Sequence, residues 1–436
     1  MAFTTIQGSG ATDATSYVGS SGVDAILLQN TGTTGKDVRA QKLADTINFV
    51  ELTGVGSNYS VLGGQGADLI NQTNPIGFNS SKFNGNKDAD TISITSGTSS
   101  TVYGGQGADS INSTALFTAG IFNGNKDNDQ VTMAGGVSGS SVYGGQGTDS
   151  VTVGTTVSAS TVQGNNDNDT LTVQANTTFG DATVNGNAGN DSINFAGAVA
   201  TFTGSNIRGG AGNDTINAAN NAAGNAGIVI SGDIGNDSLT GSGNADTIST
   251  GSGTDGVLGG TGSDAITAAA GIDTISYTNL TDGAAFVAGS TAAGDTITGF
   301  GIAQDILSFT GNLGAGTHAG GVNQAGVNAI AYNGGIDMNA AGTGDDSVFL
   351  IASGAATATT ADLVTLADLN TAIGTINNDA AADDRIMVFL AADNSFAAYA
   401  YTSDGVAAAL AAGELQLLAT GSADGAITAA NLNAGA

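Results

Sequence analysis

One short pattern recurs along most of this chain: an aspartate followed two residues later by an aliphatic residue. Fifteen such aspartates lie between Asp24 and Asp273, and the first ten intervals are 19 to 23 residues while the last four are nine each. Fixed periods of this length are the signature of repeat architectures, in which each unit packs on its neighbours. The repeat therefore limits the chain to a stacked array.

The repeating unit predicts strands. Thr91–Ile94 reads TISI, an alternation typical of a half-buried strand, and a second short segment, Ser100–Tyr103, leads into a glycine-rich turn. Two strands and two turns per unit would form one coil of a parallel β-solenoid over residues 24–277. We expect a thin core of small residues, because only 5% of the chain is aromatic.

Stacked coils would place the turns, and their aspartates, in a column about 5 Å apart. Carboxylates at that spacing repel one another unless a cation lies between them. Calcium suits such a place because it accepts six to eight oxygen ligands, including backbone carbonyls. Glycine permits positive φ, so that a turn can direct its carbonyl oxygens at an ion. We therefore expect multiple calcium ions.

The turns resemble the nonapeptide of the RTX (repeats-in-toxin) family, glycine-glycine-x-glycine-x-aspartate-x-apolar-x. Five segments match at every defined position: Gly63–Asn71, Gly104–Asn112, Gly144–Thr152, Gly209–Asn217 and Gly259–Thr267. The resemblance implies an RTX-like β-roll that binds calcium and leaves the cell by type I secretion. It also implies that the chain folds outside the cell.

The predicted metal-site residues are the aspartates of these turns and the first glycine of each full match. They are Asp68, Asp90, Asp109, Asp129, Asp149, Asp169, Asp191, Asp214, Asp237, Asp246, Asp255, Asp264, Asp273, Gly63, Gly104, Gly144, Gly209 and Gly259. Since the nine-residue interval appears only from Asp237 to Asp273, we expect one calcium column over most of the array and two near its C-terminal end.

Alternate turns carry a second aspartate in place of the third glycine. These residues are Asp88, Asp127 and Asp167. They are candidates for additional calcium ligands. Alternatively, the adjacent Lys87 and Lys126 pair with such aspartates and no further ligation occurs.

Residues 278–436 are expected to form a mainly-β cap with one or two short helices, and to serve in secretion or assembly. Predicted strands lie in residues 346–353, 385–393, 395–402 and 414–421, with a tight hairpin turn at Asp393–Asn394, and the predicted helix lies in residues 360–376. Gly294–Phe309 resembles the segment that closes many RTX rolls. Residues 1–23 show no evident cap for the first coil, so we expect them to contact another copy of the chain. Alternatively, this segment folds back and forms the cap itself.

Charge and composition exclude several functions. With eight Lys+Arg against 38 Asp+Glu, the formal charge is −30, which disfavours nucleic acid as a partner. No apolar run is long enough for a membrane span. We expect no enzymatic activity, since the periodic carboxylates belong to the repeat and the chain shows no zinc-protease or serine-nucleophile motif.

The composition, without cysteine and poor in basic residues, resembles that of bacterial surface-layer and other extracellular structural proteins. We therefore expect a secreted, calcium-dependent structural protein at the cell surface that self-assembles into a surface layer or an extracellular filament, with a cell-surface glycan as a further candidate partner. The alternatives are a calcium-stiffened adhesin or matrix protein that does not polymerise and, third, a hydrolase built on a solenoid.

Overall fold

The computed structural model describes a chain of β-strands. Its described residues are 2–7, 16–29, 37–50, 55–72, 77–175, 177–279, 284–285, 294–301, 304–312, 327–331, 336–337, 348–352, 376–377, 384–390, 394–402, 415–424, 427 and 431–434. No α-helix occurs among them. The chain divides into two compact units, Met1–Asn225 and Ala226–Ala436.

The first unit is a parallel β-solenoid with three strands per full coil. The strands that follow the repeating aspartates form the aspartate sheet: β1 Ala2–Gln7, β3 Asp24–Gln29, β5 Thr46–Val50, β8 Leu69–Gln72, β11 Thr91–Ile94, β14 Ser110–Ser113, β17 Gln130–Met133, β20 Ser150–Val153, β23 Thr170–Val173, β26 Ser192–Phe195 and β29 Thr215–Asn217. Neighbouring strands pair in register, with Ile92 opposite Ile111 and Ile111 opposite Val131.

The strands that lead into the glycine turns form the glycine sheet. They are β2 Ser16–Val18, β4 Asp37–Arg39, β7 Ser60–Gln65, β10 Lys82–Lys87, β13 Thr101–Gln106, β16 Ile121–Lys126, β19 Ser141–Gln146, β22 Thr161–Asn166, β25 Thr183–Ala188 and β28 Asn206–Ala211. All neighbours are parallel, as β13 and β16 illustrate.

A third, short sheet corrects the expectation of two strands per coil. Its strands are β6 Gly56–Ser57, β9 Phe78–Asn79, β12 Gly97–Thr98, β15 Phe117–Thr118, β18 Val137–Ser138, β21 Thr156–Ser158, β24 Thr178–Gly180 and β27 Thr201–Thr203. The sequence predicts only a turn in these segments, because two or three residues are too few to show an alternating pattern.

The core of the first unit is also more aromatic than predicted. Phe49, Tyr59, Phe78 and Phe83 are buried, and the rings of Phe49 and Phe78 meet edge to face at 5.0 Å. The short sheet makes room for them, since a Cβ on Gly56 would lie 2.6 Å from the Phe78 ring. The few aromatic residues are thus concentrated where three sheets leave a wide interior.

The second unit begins with shorter, two-sided coils. One ladder contains β30 Val229–Ile234, β32 Thr247–Ser249, β33 Ser252–Gly253, β35 Ala265–Thr267, β36 Ala270–Gly271 and β39 Asp295–Phe300. The opposite ladder contains β31 Ser238–Thr240, β34 Gly256–Leu258, β37 Thr274–Asn279, β40 Ile306–Asn312 and β48 Leu432–Ala434. Thr247 pairs with Ala265, and Gly256 with Thr274, so one coil here spans two nonapeptides.

The described C-terminal residues are also β-strands. They are β38 Ala284–Ala285, β41 Val327–Ala331, β42 Ile336–Asp337, β43 Val348–Ala352, β44 Ile376–Asn377, β45 Asp384–Leu390, β46 Ser395–Thr402 and β47 Leu415–Ala423. The four strands predicted here are confirmed, and β45 and β46 are antiparallel neighbours, as the predicted hairpin requires. The predicted helix lies outside the described residues apart from its last residue, Ile376, which belongs to the strand Ile376–Asn377.

Candidate metal sites

The repeating aspartates form a buried, hydrogen-bonded column at one corner of the first unit. Its members are Asp24, Asp45, Asp68, Asp90, Asp109, Asp129, Asp149, Asp169, Asp191 and Asp214, and each side chain is buried. The backbone N–H of each aspartate from Asp24 to Asp191 donates to Oδ1 of the aspartate in the next coil. The distance from Asp90 N to Asp109 Oδ1 is 2.8 Å, and from Asp129 N to Asp149 Oδ1 it is 2.7 Å. One carboxylate oxygen per coil thus holds the stack together.

The second carboxylate oxygen has no such partner in most coils. Buried carboxylate oxygens without a hydrogen-bond partner include Oδ2 of Asp45, Asp68, Asp90, Asp109, Asp129, Asp149, Asp169, Asp191 and Asp255, and Oδ1 of Asp273. Leaving a buried carboxylate oxygen unsatisfied is costly, and a long periodic series of them calls for a ligand.

The first glycine of each turn creates the space that such a ligand needs. A Cβ placed on Gly63 would lie 2.5 Å from Oδ2 of Asp68 and 2.6 Å from the carbonyl oxygen of Gly85 in the next coil. On Gly144 the same atom would lie 2.5 Å from Oδ2 of Asp149 and 2.8 Å from the Gly164 carbonyl oxygen. A carboxylate oxygen and a carbonyl oxygen from two successive coils therefore face one glycine cradle.

These groups fit calcium. Calcium takes hard oxygen ligands in irregular geometry, and backbone carbonyls are among its ordinary partners. Among the described residues, no three His, Cys, Asp or Glu side chains come together as a side-chain metal site. One carboxylate per coil, supplemented by carbonyl oxygens, is therefore the donor set available here. Bound calcium would supply the positive charge that buried, stacked carboxylates lack.

The raised pKa values of the column aspartates also favour a bound cation. Burial, together with the charge of neighbouring carboxylates, raises the pKa of Asp90, Asp129 and Asp169 to about 8, against the opposing effect of the backbone hydrogen bonds. Burial raises the pKa of Asp109 and Asp149 to about 6. Without a cation, the charged form of the column is therefore strongly disfavoured.

The second unit carries two columns. Asp237 N donates to Asp255 Oδ1 at 2.7 Å, and Asp273 N to Asp305 Oδ1 at 2.9 Å. On the other side, Asp246 N donates to Asp264 Oδ1 at 2.8 Å. Every predicted column aspartate therefore occupies a column, and the change from one column to two follows the change of interval as predicted. Their role as calcium ligands remains a prediction.

Two column members, Asp295 and Asp305, were not predicted from the sequence. Asp295 accepts the N–H of Asp264 at 2.9 Å, and Asp305 accepts that of Asp273. Each stands two residues before an aliphatic residue, Ile297 and Leu307, so the repeat signal was present. It was missed because the intervals before them depart from nine residues.

The extra aspartates of alternate turns lie outside the column. Asp88, Asp127 and Asp167 are exposed, and Oδ2 of each accepts the N–H of a glycine in the preceding coil, at 2.8 Å from Gly66, 3.0 Å from Gly107 and 3.1 Å from Gly147. Among the described residues the ion pair found is Arg39–Asp37, so the predicted pairing with Lys87 and Lys126 is absent there. These aspartates join adjacent turns.

The predicted glycines take two positions. Gly63, Gly104, Gly144 and Gly259 each lie against Oδ2 of the aspartate five residues on, whereas Gly209 presents its carbonyl oxygen 2.5 Å from the Cβ position of Gly186. A cradle is thus formed by a glycine of one coil, which faces the carboxylate, and by the carbonyl oxygen of the equivalent glycine in the next coil.

Comparison with protein families finds the RTX calcium-binding nonapeptide repeat four times, at residues 176–194, 205–222, 224–257 and 258–276. RTX calcium-binding repeats are therefore present. Two of the five full motifs, Gly209–Asn217 and Gly259–Thr267, fall within these matches. No curated protein matches the chain.

Repeats of this kind indicate a calcium-binding β-roll and, by their association with type I secretion, a secreted protein. No helix among the described residues is long and apolar enough to cross a bilayer.

Proposed function

We propose that this protein is a secreted, calcium-dependent structural protein that self-assembles into a surface layer or an extracellular filament. The observation that carries the calcium dependence is the series of buried, unpartnered Oδ2 atoms from Asp68 to Asp191, each facing the first glycine of its turn. Calcium binding to the folded chain alone would stabilise it by mass action. The solenoid coils would then be rigid only outside the cell, where calcium is plentiful.

The support for assembly comes from the edge of the aspartate sheet. The backbone of β1 pairs in parallel with β3, Ala2 opposite Asp24 and Gln7 opposite Gln29, so residues 2–7 continue the solenoid. Among the described residues, β1 pairs with no other strand. An unpaired strand edge is a template for another chain, and head-to-tail contact that does not close produces a filament or lattice. We propose that a second copy pairs there.

A structural role also agrees with the column chemistry, since its carboxylates are buried beneath the turns and inaccessible to a large substrate. We propose no enzymatic activity. Cell-surface glycan remains a candidate partner, for which uncharged strand residues such as the exposed Thr170 and the partly exposed Thr172 would supply hydroxyl groups.

The test compares the secreted protein in millimolar calcium and in chelator. We expect a folded β spectrum by circular dichroism and fibres or sheets by electron microscopy with calcium, and loss of both with chelator. An unchanged spectrum in chelator would refute the calcium dependence. Folded but dispersed particles in calcium would refute self-assembly and favour a non-polymerising adhesin.

A further inference from the structure

One predicted calcium ligand, Asp246, differs from the other column aspartates in its surroundings. The backbone N–H of Ser242 donates to Asp246 Oδ2 at 2.5 Å, and the Ser242 hydroxyl donates to Oδ1 at 3.0 Å. Oδ1 also accepts the N–H of Ile228 at 2.7 Å. The turn Gly241–Asp246 thus satisfies both carboxylate oxygens from the protein itself.

The same arrangement occurs in the first unit, at Gly19–Asp24. The N–H of Ser20 donates to Asp24 Oδ2 at 2.6 Å, and its hydroxyl donates to Oδ1 at 2.8 Å. In both turns the serine Oγ accepts the N–H two residues later, from Gly22 at 3.1 Å and from Asn244 at 3.2 Å. Both turns have serine in the second position. Gly301, in the same position before Asp305, also donates its N–H to Oδ2, at 2.7 Å, and it too has no positive φ, so the direction of this N–H closes the turn.

From Asp68 to Asp191, the turns with an unpartnered Oδ2 have a different backbone at this position. Gly105, Asn125 and Gly145 have φ of 130°, 82° and 134°, whereas neither Ser20 nor Ser242 has a positive φ. Positive φ turns the N–H away from the carboxylate; that of Asn125 donates to Asn123 Oδ1 at 2.9 Å. Glycine and asparagine tolerate this conformation and serine does so less readily.

We propose that a serine in the second position closes the turn against calcium, so that Asp24 and Asp246 hold no ion. The inference rests on the proposed calcium binding. An N–H directed at Oδ2 places a positive hydrogen where the cation would lie and occupies the oxygen it needs. Asp246 lies within the matched repeats at residues 224–257, so the repeat motif alone would assign calcium to it.

Calcium stoichiometry of the whole chain tests the proposal, measured by equilibrium dialysis and atomic emission. Ser242→Gly frees the second position to take positive φ, and we expect one additional ion per chain. Ser242→Ala is the matched control: it removes the hydroxyl but retains the N–H and the backbone preference, so we expect no gain.

A substitution of the aspartate itself tests the same turn in both backgrounds. Asp246→Asn should leave the stoichiometry unchanged in the wild-type background and remove the added ion in the Ser242→Gly background. Loss of an ion from Asp246→Asn alone, or no gain from Ser242→Gly, would overturn the closed turn while leaving calcium binding intact. Wild-type protein that binds no calcium would overturn both.

Discussion

The two oxygens of a column aspartate have different roles. Oδ1 of Asp109 accepts the N–H of Asp90 at 2.8 Å and connects two coils, while Oδ2 is buried without a hydrogen-bond partner. The first role needs only an acceptor, and the second needs a charge that a cation can neutralise. Substitutions that keep one oxygen and change the other separate these roles.

Asp109→Asn is the most informative such substitution. It keeps the Oδ1 acceptor and removes the charge, so we expect the loss of about one calcium ion and lower stability in calcium. In chelator the same variant should be more stable than wild type, because a buried unpaired charge has been removed. Denaturation midpoints in both conditions check this. Asp127→Asn, at an exposed carboxylate, is the control. Lower stability of Asp109→Asn than of wild type in chelator would contradict the assignment of Asp109 as a buried, charged calcium ligand.

The pH dependence follows from the raised pKa values. Column aspartates titrate at about 6 to 8 in the folded, calcium-free chain, against about 3.9 when unfolded. Between these values the folded state binds more protons, so stability in chelator should rise as pH falls from 8 to 5, with little further gain below 4. With calcium, protons compete with the ion, and affinity should fall below about pH 6.

Denaturant titrations at pH 5, 6, 7 and 8, with calcium and with chelator, measure both trends. The two series should have opposite slopes. A chelator series whose stability rises with pH would show that the column carboxylates are not protonated in the folded state.

The corners of each coil carry buried backbone N–H groups that need hydrogen-bond acceptors. The corner between the short sheet and the glycine sheet has its own ladder: the N–H of Ser81 donates to Ser100 Oγ at 3.1 Å, and that of Ser140 to Ser160 Oγ at 3.1 Å. The serine hydroxyl groups satisfy the hydrogen bonds of their corner without a metal. The aspartate corner carries negative charge, and its second carboxylate oxygens are left without a hydrogen-bond partner in most coils.

The glycine turn can be tested by filling its cradle. A Cβ on Gly104 would meet Asp109 Oδ2 and lie 2.7 Å from the Gly124 carbonyl oxygen. We expect Gly104→Ala to abolish one calcium site and cost about 1–3 kcal/mol through overpacking. Gly256→Ala is the control, since its Cβ would have no neighbour nearer than 4.0 Å. Equal calcium stoichiometry in wild type and Gly104→Ala would place the ion elsewhere.

For the whole molecule, the formal charge of −30 and the buried columns oppose folding until cations bind. Each calcium ion adds two positive charges, so about a dozen ions would nearly neutralise the chain. Assembly should therefore have two requirements: calcium, which allows the chain to fold, and an exposed strand edge on the folded chain.

Blocking that edge separates the two requirements. We expect a bulky soluble domain, fused before Met1 through a cleavable linker, to leave calcium-dependent folding unchanged and keep the protein monomeric by sedimentation. Cleavage of the linker should restore assembly. Polymerisation of the intact fusion at the wild-type rate would exclude the β1 edge as the contact, and the same domain fused after Ala436 serves as the control.

The sequence by itself determined the repeat, the parallel β class, the aspartate columns and their doubling in the second unit. These follow from local rules: alternation specifies a strand, glycine and asparagine permit positive φ, and equal intervals bring equivalent residues into register. Asp295 and Asp305 obeyed the same rule and were missed only because their intervals are irregular.

Only the tertiary structure decided the third strand of each coil, the aromatic interior and the direction of each carboxylate oxygen. Two-residue strands exist because neighbouring coils pair with them, and no alternation within one coil reveals them. Likewise, Asp109 and Asp246 belong to similar motifs, yet one is left with an unpartnered Oδ2 and the other is closed by Ser242. That difference depends on backbone φ and hydrogen bonds between residues brought together by the turn, which the residue pattern alone does not specify.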